Sequence, residues 1–153
     1  MVGGISYYIF NNKPDTSSSS GLTLFAQHGH SYYTVGLIGE LGSNTLLYLK
    51  DTTVNVTWSQ NMYVTMPGIG NVMSTLDFQL TGVNTSLTVN GKTFKSVDEV
   101  TMQLKVPSPI GGGPITYATA HIYFARGIGV IRVSLDENGS PVSDFTLDSY
   151  TIH

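Results

Sequence analysis

The sequence predicts an all-β protein. The expected form is an antiparallel, curved sheet of about ten strands forming an open half-barrel or a sandwich, in one domain over residues 1–153. Three observations carry that expectation. Apolar and polar residues alternate with period two through much of the chain, as a strand with one buried face requires. Turn signals return about every eight to twelve residues, the spacing of antiparallel sandwiches and barrels. The stretch Ala118–Val133 reads as two β-branched and aromatic strands joined through Gly127-Ile128-Gly129, a corner where positive φ is cheap only without a Cβ.

Taken in order, Lys13–Gly21 is a Ser-rich surface loop, and Leu22–Ala26 and Tyr32–Ile38 are strands on either side of a turn at Gly29. Val54, Val56 and Trp58 alternate with Asn55, Thr57 and Ser59; the polar break Gln60-Asn61 then suggests a hairpin, with Met62, Val64 and Met66 on the return. Leu76, Phe78 and Leu80 alternate with Asp77, Gln79 and Thr81, the cleanest one-face-in pattern in the chain. Leu87 and Val89 lead into Asn90-Gly91, a favoured type I′ turn, and Thr93-Phe94 return from it. Ser96–Glu99 matches a helix capping box, with Val97, Val100 and Leu104 at helical spacing. Val100, Met102, Leu104 and Val106 alternate equally well, and the β-branched content favours a strand with a bulge near Asp98-Glu99. Pro107–Pro114 is a glycine-rich loop, Asp136–Pro141 closes a hairpin from the Val130 strand, and Phe145 and Leu147 alternate with Asp144, Thr146 and Asp148.

Composition narrows the function classes. Charged residues make up 11% of the chain, against roughly 25% in an average soluble protein. Thr, Ser, Asn, Gly and Tyr take their place, as in extracytoplasmic β-domains. The formal charge of −3, with no basic stripe, argues against nucleic-acid binding. With no cysteine, disulfides and thiolate metal sites are excluded. No apolar run approaches the ~18 residues of a membrane-spanning helix. Met1-Val2-Gly3-Gly4 has neither a basic n-region nor an apolar h-region. The expectation is therefore an exported chain trimmed from a longer one.

Few residues suggest chemistry. His28-Gly29-His30 places two imidazoles at i and i+2, and on a strand both could meet one metal ion with His121 as a third ligand; Gly29 equally makes them turn histidines. Gly127-Ile128-Gly129 leads into a strand rather than a helix, so it holds no dinucleotide, and Gly111-Gly112-Gly113-Pro114 lacks the Lys-Ser/Thr of a phosphate loop. The doublets Asp98-Glu99 and Asp136-Glu137 point to opposite faces of a strand and read as solvated turn or bulge residues. No nucleophile elbow surrounds Ser31. The chain is read as non-enzymatic, with no cofactor. If it holds a ligand, the candidate residues are Trp58, Met62, Met66 and Met73, whose thioethers adapt to varied apolar shapes; the same stripe also reads as plain core.

The pattern Val89-Asn90-Gly91-Lys92-Thr93-Phe94-Lys95-Ser96-Val97, a strand, and then Tyr123-Phe124-Ala125-Arg126-Gly127-Ile128-Gly129-Val130-Ile131 resembles exported bacterial lipoproteins, many from Bacteroidetes. Their topology is related in places to the half-open barrels of lipoprotein carriers such as LolA. The resemblance spans about a third of the chain. It implies export, a β-fold and, in the full-length protein, a lipid anchor, and it supplies no catalytic residue. Long helices of the kind that plug the LolA half-barrel find no candidates here. The expected role is a non-catalytic binding or structural domain of the periplasm or cell surface. Its expected partners are an apolar ligand or lipid, a glycan, or an envelope protein.

Overall fold

The computed structural model describes residues 8–11, 22–35, 45–66, 70–108, 110–137 and 139–147. Among them there is no helix. The described residues form ten strands: β1 (Tyr8–Asn11), β2 (Leu22–His28), β3 (Ser31–Val35), β4 (Thr45–Lys50), β5 (Thr57–Met66), β6 (Gly70–Val89), β7 (Lys92–Pro107), β8 (Pro114–Ala125), β9 (Gly129–Glu137) and β10 (Ser140–Thr146). They form two antiparallel sheets, one of order β1-β2-β3-β4 and one of order β10-β9-β8-β7-β6-β5. Neither closes into a barrel. The chain divides into two compact units, residues 1–52 with 64–71 and residues 53–63 with 72–153. The loop Lys13–Gly21 lies outside the described residues.

In the first unit, β2 and β3 turn through Gly29 (φ +60°) and His30, with His28 opposite Ser31. Between β3 and β4 the register shifts at Tyr32/Tyr33, leaving Tyr48 as the extra residue. An extra residue breaks the strict alternation of faces, and Tyr48 and Leu49 are accordingly both buried beside Leu46. Burial drives the Tyr48 hydroxyl well above the ordinary tyrosine range, with neighbouring Tyr32 adding to the shift. Thr34 is fully buried, and its Oγ1 has no hydrogen-bond partner among the described residues.

The second unit holds the six-stranded sheet apart from residues 64–66 of β5 and 70–71 of β6, which belong to the first. Leu76, Phe78 and Leu80 of β6, Val100, Met102 and Leu104 of β7, and Ala120 and Ile122 of β8 line its inner face. Large residues meet small ones across the strands: Met102 lies opposite Ala120 and Leu104 opposite Ala118. That complementarity lets the layer fill without voids. Trp58 of β5 stacks on Phe78, ring centroids 5.3 Å apart and 2° from parallel.

Three expectations need correction or refinement. Val54 and Val56 are in a turn rather than a strand. Asn55 adopts φ +71°, a conformation Asn tolerates better than most residues. The turn docks on β6, with Asn55 N–H donating to Leu80 C=O (2.7 Å) and Leu80 N–H to Val56 C=O (3.0 Å). Gln60 and Asn61 do not end a strand; β5 runs straight through them. Ser96–Glu99 is strand, as the β-branched content favoured, and the irregularity expected at Asp98-Glu99 is present but shared between both strands.

That irregularity shapes the sheet. The β6–β7 register shifts between Leu80 and Ser86, with Asn84 and Ser96 both at φ +55°. Bulges bend a strand and increase its twist. Beyond the bend, the tip of the β6–β7 hairpin turns through Asn90 (φ +49°) and Gly91 (φ +76°), the two positive angles of a type I′ turn. Val89 and Phe94 on this tip pack with Val97, Ala125 and Ile131, and Leu147 rests against the same cluster. Asn90 Nδ2 reaches Thr146 Oγ1 at 3.1 Å. The hairpin therefore folds back over the β9–β10 end of its own sheet. Asp98, expected to be solvated, sits at this bend and is 3% exposed. One carboxylate oxygen accepts the Asn84 N–H (2.9 Å) and the other pairs with Arg126 Nε (3.4 Å).

Candidate functional site

Alternation places the polar partners of the core strands on the outward face of the six-stranded sheet. Three pairs of its titratable groups lie in contact. Lys105 Nζ lies 2.7 Å from Asp77 Oδ2, and Ser59 Oγ donates to Asp77 Oδ1 at 2.5 Å. Those two bonds, Lys105 first, hold the Asp77 carboxyl below the usual carboxylate range. Arg132 grips Asp144 with two bonds of 2.9 Å and is raised by them, while its guanidinium lies 5.9 Å from the Tyr123 ring centroid. Burial, then the neighbouring Glu99 charge, pushes the Tyr123 hydroxyl upward. His121 Nδ1 lies 3.1 Å from Glu99 Oε1 and 3.4 Å from Thr101 Oγ1. With these groups tied to one another, much of this face offers hydroxyls, amides and rings rather than a net field.

At one end of the face is a recess of about 320 Å³, walled by Met73, Thr75, Lys105, Pro107, Ser108 and Pro114. The β7–β8 hairpin builds its rim: Pro107 lies opposite Pro114, and Gly111, Gly112 and Gly113 all take positive φ between them. At the tip, Ile110 is 95% exposed. Two cross-strand bonds set the β5–β6 register here: Ser59 with Asp77 and Asn61 with Thr75 (3.0 Å). The same register puts Tyr63 opposite Met73, and both are largely exposed.

The four candidate ligand residues do not form one stripe. Trp58 and Met62 are buried on the inward side of β5, and Met66, half-buried, follows the same parity. Met73 stands on the outward face, because β6 buries its even positions, Ser74, Leu76 and Phe78. Of the four, Met73 alone reaches the recess. The sequence reading missed Thr75, Lys105, Pro107 and Pro114. The signal was available in the Leu76–Phe78–Leu80 parity, which extended backwards assigns Met73 and Thr75 to the solvent side. Of the metal candidates, His28 and His30 are exposed at the β2–β3 turn and His121 engages Glu99. Among the described residues no three metal-ligating side chains gather, and no helix is long and apolar enough to cross a membrane.

Comparison with protein-family models, with curated proteins and with solved structures finds no match.

Proposed function

We propose that this chain is a non-catalytic binding domain of the bacterial cell envelope, exported to the periplasm or cell surface and lipid-anchored in the full-length protein. It holds a small, largely apolar ligand against the outward face of its six-stranded sheet. The recess beside Met73 carries this reading. Its volume of about 320 Å³ sits at the lower end of the range of roughly 300–1,000 Å³ typical of ligand sites. Its walls combine a thioether and two proline rings with the Thr75 hydroxyl and a Lys105 ammonium already neutralised by Asp77. Such a lining suits an apolar body with one polar handle. The low charge content and the lipoprotein resemblance support the envelope location.

The test is a displacement titration with an environment-sensitive apolar dye, together with mass spectrometry of organic extracts of the purified protein. Bound dye displaced by envelope lipid, and weakened at least tenfold by Met73→Glu, is the expected result. Equal binding by Met73→Glu and the parent, or no binding by the parent, defeats the reading. Tyr63 supports a second reading, a glycan- or protein-binding module, since at 64% exposure its ring offers a stacking platform next to Asn61 and Thr75. A glycan array in which the parent binds and Tyr63→Ala does not would favour it.

A further inference from the structure

We propose that the chain forms a twofold-symmetric dimer through the outer edge of β10, two copies pairing antiparallel about Phe145 so that their six-stranded sheets run into one another. β10 is the terminal strand of the sheet, and among the described residues no strand lies beyond it. Unpaired edges invite another strand, and proteins usually protect them with lysine, proline or a bulge. Here Pro141 and the shift between Pro141 and Ser143 guard only the first half of the strand. From Ser143 to Thr146 there is no lysine and no proline.

The ladder specifies the register. Leu147 N–H donates to Ile131 C=O at 2.9 Å, so Leu147 and, two residues back, Phe145 direct their backbone groups inward to β9. By the alternation of antiparallel pairing, Asp144 and Thr146 direct theirs outward. A twofold axis at Phe145 then matches Asp144 of one copy to Thr146 of the other, each pair exchanging both backbone bonds. Phe145 meets its own counterpart in the close, non-hydrogen-bonded position.

Side chains agree with this register. Phe145 lies opposite Val133 and so on the core face, where Val133 is 7% exposed, yet Phe145 itself is 65% exposed. A second Phe145 alongside would cover it. An axis at Asp144 would instead set two carboxylates against each other, which is unfavourable. The charge beside the proposed axis is quiet, because both Asp144 oxygens are held by Arg132. This self-complementarity of ladder, ring and charge favours a second copy over an unrelated extended peptide.

The test uses the purified chain. Light scattering and sedimentation at near-millimolar concentration should give twice the chain mass. Thr146→Pro should be monomeric with an unchanged circular-dichroism spectrum, since the amide it removes points away from β9, whereas Asn90→Ala, which removes only the side-chain bond to Thr146 Oγ1, should leave the dimer intact. The protein has no cysteine, so Phe145→Cys under mild oxidation should give a disulfide-linked dimer, the close pair lying within disulfide reach. Thr146→Cys should crosslink at least tenfold more slowly. A monomeric parent at every concentration overturns the proposal, including the case in which only a foreign peptide binds the edge. So does a dimer that Thr146→Pro leaves intact, or one in which the two cysteine variants crosslink equally.

Discussion

Replacing Asp98 by alanine tests whether one buried carboxylate holds the bend of the six-stranded sheet. Asp98 is 3% exposed and has two partners of unequal worth. The Asn84 N–H, at 2.9 Å, belongs to a residue at φ +55°. A hydrogen bond to a charged group contributes about 1.5–3 kcal/mol. Arg126 is half exposed at 3.4 Å, and a pair with one solvated member contributes only ~0.2–1 kcal/mol. Asp98→Ala should therefore cost about 2–3 kcal/mol, of which Arg126→Ala reproduces at most the smaller part. For a chain of this length that is a fall in Tm of roughly 5–10 °C. Asp98→Asn keeps an acceptor for the Asn84 amide and should recover about half the loss. Urea unfolding of the three variants decides the matter. If Arg126→Ala costs as much as Asp98→Ala, the ion pair and not the backbone bond holds the bend. If Asp98→Ala is neutral, desolvation of the carboxylate cancels its bonds and the assignment is wrong.

Three further outcomes follow from the packing and electrostatics. Trp58→Ala removes the ring stacked on Phe78 and should cost about 3–5 kcal/mol by calorimetry, whereas Tyr63→Ala on the opposite face should change stability by under ~0.5 kcal/mol. Gly91→Val forces a β-branched residue into φ +76°; it should cost about 1–3 kcal/mol, while Asn90→Gly should be tolerated within ~1 kcal/mol because glycine suits the same turn. The Asp77 carboxyl titrates below its unfolded value, so its contribution is present above the unfolded pKa and is lost as pH falls through the folded one. A double-mutant cycle on Asp77 and Lys105 should show coupling of no more than ~1 kcal/mol at neutral pH, since both are about one-third exposed. That coupling should vanish in strong acid; coupling that persists there would contradict the ion-pair assignment.

Strand content was legible wherever one face is dry and the other wet. Leu76–Leu80 and Val100–Val106 sort their side chains on every second position, and that sorting survives in the folded sheet. Asn90-Gly91 named its own turn, because few other pairs take two positive φ angles in succession. The pattern misleads where tertiary contacts override it. Gln60-Asn61 looked like a turn, yet Asn61 bonds Thr75 across the hairpin as an ordinary strand residue. Val54 and Val56 alternate as a strand does, but backbone docking on Leu80 makes them a turn, and that contact spans some two dozen residues that no local pattern reports. Asp98 was read as solvated because acids rarely sit inside unless paired; its partners, Asn84 and Arg126, lie on other strands. The recess escaped notice for a similar reason, being assembled from β6, β7 and β8 together.

The folded-back hairpin also has a kinetic meaning. Val89 and Ile131 share one buried cluster across roughly forty intervening positions, and closing such a span costs chain entropy that neighbouring strand pairs do not face. The β6–β7 tip must therefore seat late, after β8, β9 and β10 have zipped into place beneath it. Native-state hydrogen exchange should register the reverse order, with amides around Phe94 releasing their protons well before those around Met102. On that exchange pattern, one end of the molecule would act as a latch that opens while the rest of the sheet stays shut.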